Sequence, residues 1–188
     1  MHMATIYTKR LVLRKLRRTD LDDFFEYCSD PKVGPNSGWQ PHADKRHSRF
    51  VLRENFLNNN FAWGIIFEEK LIGTVSVDND RKRMNNRVMS IGYSLSSKYW
   101  GRGIMSEAAA AVIEYMFDTF ELDGISVYCY PENARSRRVI EKCGFEYEGH
   151  QHMAQMRFDG RVMDNLCFLL TEQRFKELRG SLPVLRRE

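Results

Sequence analysis

The sequence lacks an apolar run long enough to span a membrane, and its N-terminus lacks the hydrophobic core of a signal peptide. These absences argue against an integral membrane protein and against a secreted one. The sequence also contains no internal repeat, low-complexity region or linker. We therefore expect a cytoplasmic protein that forms a single domain over residues 1–188, with a flexible tail from about residue 180.

Cysteine pairs and a strong net charge are also absent. Cys28, Cys129, Cys143 and Cys167 form no Cys-x-x-Cys pair and no Cys/His cluster, so we expect no zinc site and no other metal. The last three lie in apolar stretches, where a buried free thiol is typical. The net charge of +4 would favour an acidic ligand, but it is too small to indicate a nucleic-acid partner.

What the sequence does contain is an apolar stretch, a glycine turn and a long helical pattern in succession. Residues 88–95 predict a strand and residues 105–120 predict a helix. Gly101 and Gly103 lie between them and permit a sharp turn. The first N–H groups of a helix have no intrahelical partner and can bind a phosphate. The turn by itself fits a simple tight connection equally well, because it matches neither a P-loop nor a dinucleotide fingerprint.

Periodicity and turn signals predict the remaining elements. Further strands are expected over residues 5–14, 61–67, 70–77, 125–130, 145–156 and 162–170. Further helices are expected over 20–28 with a Thr19 cap, 43–58, 134–142 with an Asn133 cap, and 171–179. The order β-α-α-β-β-β-α-β-α-β-β indicates an α+β or α/β domain with a mostly antiparallel central sheet.

Three blocks of residues, which together cover most of the chain, resemble a known family. They span residues 8–31, which open with Thr8-Lys9-Arg10-Leu11-Val12-Leu13-Arg14, then 91–108, and then 133–149. The blocks are similar to the GNAT superfamily of N-acetyltransferases, and most similar to its RimJ/RimL-like subgroup of ribosomal-protein acetyltransferases. The family pattern Gln/Arg-x-x-Gly-x-Gly/Ala falls on Trp100, Gly103 and Met105, and Met105 departs from the usual small residue.

The resemblance implies the GNAT fold, in which the strands at 88–95 and 125–130 splay apart to admit the pantetheine arm of CoA. It implies acetyl transfer from acetyl-CoA to a primary amine, by direct attack in a ternary complex. The acceptor would be a protein N-terminus or a small-molecule amine. The alternative is a non-catalytic CoA-binding regulatory module.

The resemblance also implies which residues bind acetyl-CoA. They are Tyr93, Ser94, Leu95, Trp100, Gly101, Arg102, Gly103, Ile104, Met105, Ser106, Asn133 and Ser136. Among these, the Leu95 N–H would stabilise the oxyanion and Ser136 would donate a proton or hydrogen bond to the departing thiolate. Asn133 and Ser136 also fit plain structural roles, as a helix cap and as a polar residue of the first helical turn.

The general base and the acceptor site are less defined. Related ribosomal acetyltransferases carry a glutamate where Gln155 stands here, and His152 or the neighbouring His150 would be the replacement base. A dedicated base is dispensable for an α-amine, since its pKa is about 8. Trp39, in the 29–42 loop, either lines the acceptor pocket or packs over the edge of the core. Exposed strand edges near the C-terminus leave a homodimer open.

Overall fold

The computed structural model of the protein describes residues 3–184. Its strands are β1 (Ile6–Tyr7), β2 (Val12–Lys15), β3 (Ala62–Phe67), β4 (Lys70–Asn79), β5 (Val88–Leu95), β6 (Gly124–Cys129), β7 (Glu146–Met156) and β8 (Val162–Thr171). Its α-helices are α1 (Leu21–Cys28), α2 (Lys45–Val51), α3 (Ile104–Thr119), α4 (Ala134–Lys142) and α5 (Glu172–Leu178). Within the described residues, none of the helices has the length and apolar character needed to cross a membrane.

The strands form one sheet in the order β1-β2-β3-β4-β5-β6-β8-β7. Every neighbouring pair is antiparallel except β5 and β6, which confirms the predicted mixed, mostly antiparallel sheet. Successive side chains of a strand point to opposite faces. On β3, Trp63 and Ile65 join the core that contains α3, whereas Ala62 and Ile66 join a second core that contains α1. Helices therefore cover both faces, in a three-layer α/β arrangement.

The run Ala108 to Ala111 explains how closely α3 approaches the sheet. All four side chains are at most 3% exposed and belong to the main core. Small side chains let the helix backbone pack against neighbouring strands without a gap. This close packing fixes the start of α3 next to the end of β5.

β5 and β6 pair over only part of their lengths. Val88 to Ser90 pair with Gly124 to Ser126, and no pairing follows beyond Ser90. The two strands therefore separate toward their C-terminal ends, as the resemblance implied. The gap between them opens beside the start of α3 and is the origin of the cleft described below.

The N-terminal elements differ from the sequence-based expectation. The strand predicted over residues 5–14 is split into β1 and β2 by a turn closed by the Thr8 N–H and the Leu11 carbonyl. The predicted cap by Thr19 is wrong, since Asp20 directly precedes α1. The Asp20 carboxylate accepts from the Arg17 N–H at 2.7 Å and from the Arg14 guanidinium at 2.7 and 2.9 Å. A buried ion pair therefore organises this helix start.

Two further expectations change. The helix predicted over 43–58 begins at Lys45, because the Asp44 carboxylate accepts from the His47 N–H, and it widens into a π-helical turn over Leu52–Leu57. The tail expected to be flexible from residue 180 packs onto the core as far as residue 184, where Leu182 is 8% exposed and Val184 is partly buried. Residues 185–188 lie outside the described part of the chain.

Candidate active site

The turn between β5 and α3 has the left-handed backbone that its glycines predict. Gly101 has φ +75° and Gly103 has φ +71°, a region that other L-residues rarely adopt. A Cβ added at Gly101 would meet no atom within 4 Å, so conformation rather than space requires glycine there. No side chain of residues 3–184 caps α3. Its first N–H groups therefore remain available at the turn, next to the positive end of the helix dipole.

Trp100 ties this turn to two other elements. Its indole N–H donates to the Leu95 carbonyl at 2.9 Å, which links the turn to the last residue of β5. The Arg135 guanidinium lies over the indole ring, 4.0 Å from its centroid, which links the turn to the first turn of α4. Trp100 therefore holds together the three elements around the gap between β5 and β6.

A buried ion pair supports the turn from behind, and sequence reasoning did not find it. The Glu107 carboxylate is 1% exposed and accepts from the Arg10 guanidinium at 2.7 Å. Arg10 also donates to the Arg102 carbonyl at 3.0 Å, inside the turn. The signal was present only indirectly, as an acidic residue in the first turn of α3 and an arginine in the first resembling block.

The gap between β5 and β6 opens into a cleft of about 400 Å³. Every residue predicted to bind acetyl-CoA lines this cleft except Arg102. The Arg102 guanidinium instead lies 5.2 Å from the centroid of the Phe67 ring and 5.6 Å from that of Tyr99, on an exposed part of the turn. The positive charge predicted from Arg102 is therefore directed away from the cleft, and Arg135, Arg138 and Lys142 line it instead.

Tyr93 and Ser136 meet inside the cleft. The Tyr93 hydroxyl lies 3.0 Å from Ser136 Oγ and 3.3 Å from the Ser136 carbonyl. Burial raises the pKa of Tyr93 well above its ordinary value, although the Ser136 hydrogen bond opposes the shift. The phenol therefore stays protonated and can act only as a neutral donor or acceptor. Sequence reasoning used only the backbone of Tyr93, because a strand position does not reveal which side chain it will meet.

Asn133 connects α4 to the loop that covers the cleft. Its side-chain oxygen accepts from the Ser136 N–H at 3.1 Å, which confirms the predicted cap of α4. Its side-chain nitrogen donates to the Asn36 carbonyl at 3.0 Å. Asn133 thus positions Ser136 and fastens the 29–42 loop at the same time.

A second cavity adjoins the cleft and shares Asn36 and Asn133 with it. Tyr130 lines it, and its hydroxyl is one of the few buried side-chain atoms in the described residues with no hydrogen-bond partner. A buried unpaired hydroxyl costs free energy unless another group binds it. Both the Tyr130 hydroxyl and the Gln155 amide lie close to Gly38, where an added Cβ would be 2.7 and 2.8 Å from them.

The sequence matches a family of known chemistry. The family model described as "Acetyltransferase (GNAT) domain" matches residues 10–146. An uncharacterised N-acetyltransferase of Bacillus licheniformis is 31% identical over 179 residues, which cover 92% of this chain and 99% of the relative. The chain belongs to the GNAT acetyltransferase family.

Two further comparisons support the assignment. The [ribosomal protein uS5]-alanine N-acetyltransferase of Escherichia coli is 29% identical over 177 residues, which cover 87% of this chain and 89% of the relative. The crystal structure of a GNAT-family acetyltransferase from Bacillus anthracis superposes with a TM-score of 0.80 at 27% identity, covering 90% of this chain and 99% of that one. The predicted RimJ/RimL-like resemblance, GNAT fold and N-acetyltransferase activity with acetyl-CoA are thereby confirmed.

The catalytic base predicted for this acetyltransferase lies away from the cleft. His152 lines neither cavity, its side chain is 72% exposed, and its Nδ1 lies 3.0 Å from Asp164 Oδ2. His150 binds the same carboxylate oxygen at 2.8 Å. The geometry gives neither histidine a path to an amine in the cleft, so the assignment of His152 as base stays a prediction without structural support.

Trp39 lines neither cavity of the acetyltransferase. It packs at the edge of the second core, with its ring centroid 5.4 Å from that of His42, and it fills the space in front of Gly34. This position fits the packing alternative rather than direct contact with the acceptor. Its influence on the site is therefore indirect, through the shape of the 29–42 loop.

The cysteines of this GNAT enzyme provide no activated nucleophile. Cys129 lines the cleft, but burial raises the pKa of its thiol to about 11. Burial also raises the pKa of Cys143 to about 12. A thiol that is protonated at neutral pH is a poor nucleophile, which disfavours an acetyl-cysteine step. Cys167, expected to be buried, is only partly buried on β8.

Proposed function

We propose that this acetyltransferase acts on the α-amino group of a peptide or protein N-terminus, by direct attack on acetyl-CoA in a ternary complex. The observation that carries the proposal is the chemistry of the cleft. Among the residues that the structure describes, those lining the cleft include no aspartate, glutamate or histidine. An acceptor that must enter already neutral is therefore favoured over one that needs a strong base.

The ordinary pKa values of amines separate the acceptor classes. At pH 7 roughly a tenth of an α-amine with a pKa of about 8 is neutral, compared with about 0.04% of a lysine-type amine with a pKa of about 10.4. Without a base, the difference favours an α-amine by roughly a few hundredfold at equal binding. Polyamines and other strongly basic amines would share the disadvantage of lysine.

Acetyl-CoA fits the cleft through groups that the structure presents there. The free N–H groups at Ile104, Met105 and Ser106 would hold the pyrophosphate. The gap between β5 and β6 would admit the pantetheine arm, with Leu95 at its end. Bound acetyl-CoA supplies an activated acetyl group, and the Leu95 N–H would stabilise the negative charge that develops on its carbonyl oxygen.

The Tyr93 and Ser136 hydroxyls would assist departure of the CoA thiolate by hydrogen bonding. Ser136 Oγ would donate a hydrogen bond toward the thiolate, and the Tyr93 hydroxyl, 3.0 Å away, would orient the Ser136 hydroxyl for this bond. The Asn133 cap holds Ser136 in place for this role. Both groups remain neutral, so they assist by donation and not by carrying charge.

The second cavity is the proposed entry for the acceptor. It meets the cleft at Asn36 and Asn133, and it presents the unpartnered Tyr130 hydroxyl together with the exposed carboxylate of Glu132. These groups are suited to recognise an amine and the first peptide groups behind it. The name of the Escherichia coli relative, which acetylates an alanine of ribosomal protein uS5, supports a protein N-terminus as acceptor and the cytoplasm as its location.

A thiol-release assay with three matched acceptors tests the proposal. The first is a short peptide with a free N-terminal alanine. The second is a peptide of the same length with a blocked N-terminus and one lysine, and the third is a polyamine. At pH 7 the first should react at least tenfold faster than the others. Faster release with lysine or the polyamine would overturn the α-amine assignment, and release with none of them would favour the non-catalytic alternative.

A further inference from the structure

We propose that His150, His152 and Asp164 form a binding site for a divalent transition-metal ion of the zinc type, on the outer face of the β7–β8 hairpin. One ligand atom from each residue lies within 4.8 Å of the other two. His150 Nε2 lies 2.8 Å from Asp164 Oδ2, and His152 Nδ1 lies 3.0 Å from the same oxygen. The two imidazole rings stack with their centroids 4.2 Å apart.

An irregularity in the hairpin creates this arrangement. Gln151 pairs with Asn165, but the next pair along β7 is Gln155 with Met163, so three residues of β7 face Asp164 alone. Met153, inside the bulge, has φ +50°. The bulge places His152 beside Asp164, while His150 reaches the same carboxylate from two positions earlier on β7. A regular ladder would pair Asp164 with a single residue.

The distances suit a small transition-metal ion. Imidazole nitrogen and carboxylate oxygen bind Zn²⁺ at about 2.0 Å, so tetrahedral ligand atoms lie about 3.3 Å apart. The observed 2.8 and 3.0 Å separations need only a small expansion to admit the ion. The side chains of His150, His152 and Asp164 are 34%, 72% and 32% exposed, which leaves the fourth position open to water.

A backbone contact already orients the carboxylate. The Met153 N–H donates to Asp164 Oδ1 at 2.8 Å. The other oxygen, Oδ2, is then directed at the two imidazoles. Supporting hydrogen bonds of this kind hold metal ligands in place in metalloproteins.

The site is separate from the acetyl-transfer chemistry. None of its three residues lines the cleft or the adjoining cavity. The sequence did not reveal it, because Asp164 lies 12 positions from His152 and on the other strand. Only the register of the hairpin brings the three groups together.

Zn²⁺ and Co²⁺ titrations of the untagged, full-length protein test the proposal. Wild-type protein should bind one Co²⁺ with the intense visible absorption of a tetrahedral ion, Zn²⁺ should displace it, and Zn²⁺ should raise the melting temperature. Asp164→Asn keeps the acceptor for the Met153 N–H and removes the charged ligand. Affinity should fall by at least about tenfold, the lower limit for disturbing even a supporting partner.

Two further variants complete the experiment. His152→Gln should lose affinity as Asp164→Asn does, whereas His47→Gln removes an exposed histidine of α2 and should bind as wild type. Equal binding by wild type and Asp164→Asn would overturn the site. Octahedral Co²⁺ spectra, or loss of binding only in His47→Gln, would also overturn it.

Discussion

The walls of the cleft between β5 and β6 and the β7–β8 hairpin hold their polar groups in opposite ways. Around the cleft, several polar side chains are at least partly buried and bind partners from distant parts of the chain, as Glu107 binds Arg10 and Tyr93 binds Ser136. On the hairpin, the exposed His152 and the partly buried Asp164 bind each other across one bulge. These side chains around the cleft are held by contacts with distant segments of the chain. His152 and Asp164 are held by their neighbours on the same hairpin.

The difference fits the ligands proposed above, which are the cosubstrate for the cleft and the acceptor for the second cavity, whose lining includes Val162 and Met163 of the hairpin. A cosubstrate held largely through backbone N–H groups needs a fixed backbone, which left-handed glycines and an uncapped helix supply. Acceptors differ in shape and charge, and surface side chains decide between them. Breaking contacts around the cleft should therefore cost stability and cosubstrate affinity, whereas changes on the acceptor side should alter selectivity at small cost.

The largest effect is expected from Arg10→Met. The substitution leaves the Glu107 carboxylate, 1% exposed, without its partner, and breaking a buried pair costs about 3 kcal/mol or more. The turn also loses the hydrogen bond from Arg10 to the Arg102 carbonyl, so the Kd for acetyl-CoA should rise. Denaturant unfolding and a binding titration measure both. The double variant R10M/E107L should regain most of the stability, and failure to do so would show that packing of Arg10, not the charge, dominates.

The cleft was predictable from the sequence because its geometry is local. Gly101 and Gly103, the strand before them and the helix after them are consecutive, and turn chemistry follows directly from residue type. The Asn133 cap of α4 is local in the same sense. Thr19 failed as a cap because Arg14 and Arg17 bind the next residue, Asp20, and such competition between neighbouring groups has no sequence pattern.

Contacts between distant segments could not be predicted. Tyr93 meets Ser136 from 43 residues away, and Arg10 meets Glu107 from 97 residues away. Gln155 was placed by resemblance, but the bulge in β7 decides which side chains of that strand approach the cleft. Tertiary register, rather than composition or periodicity, fixes these positions.

Acidification should produce the next largest loss of stability, through His42 in the 29–42 loop. Burial, followed by the nearby charge of His47, lowers the pKa of His42 from 6.5 to about 4. Between pH 6.5 and 4 the unfolded chain binds a proton that the folded chain does not. The free energy of unfolding therefore keeps its full value above pH 6.5 and falls by on the order of 2 kcal/mol toward pH 4. The melting temperatures of wild type and His42→Gln, measured as a function of pH, should converge as the pH falls. A constant difference between them would contradict this assignment.

A pair of glycine substitutions compares the two regions directly. Gly103→Ala places a Cβ at φ +71° and should cost about 1–2 kcal/mol, with weaker acetyl-CoA binding. Gly149→Ala, on β7, adds a methyl group to open space without positive φ, and it should be neutral or slightly stabilising. Thermal unfolding with and without acetyl-CoA measures both. A larger loss of stability from Gly149→Ala than from Gly103→Ala would contradict the expected difference between the two regions.

Tyr93→Phe should lower kcat about fivefold, since it removes one hydrogen bond worth about 1 kcal/mol from the Ser136 hydroxyl. KM for acetyl-CoA should change little, because the ring still fills the cleft wall. Tyr27→Phe is the matched control, a buried tyrosine of α1 that binds Thr74 in the second core. Equal losses of kcat in both variants would indicate a general effect on folding instead of a role beside Ser136.

The smallest loss of stability, and the sharpest effect on selectivity, is expected from Tyr130→Phe. Its buried hydroxyl has no hydrogen-bond partner among the described residues, so its removal should not lower the free energy of unfolding and should raise it by about 1 kcal/mol. If this hydroxyl binds the acceptor, KM for the N-terminal peptide should rise while KM for acetyl-CoA stays constant. An unchanged peptide KM would exclude the second cavity as the entry. A change in both KM values would mean that the two cavities act as one site. The cleft and the second cavity share Asn36 and Asn133, so the proposed division between cosubstrate binding and acceptor selection would then not hold at these two residues.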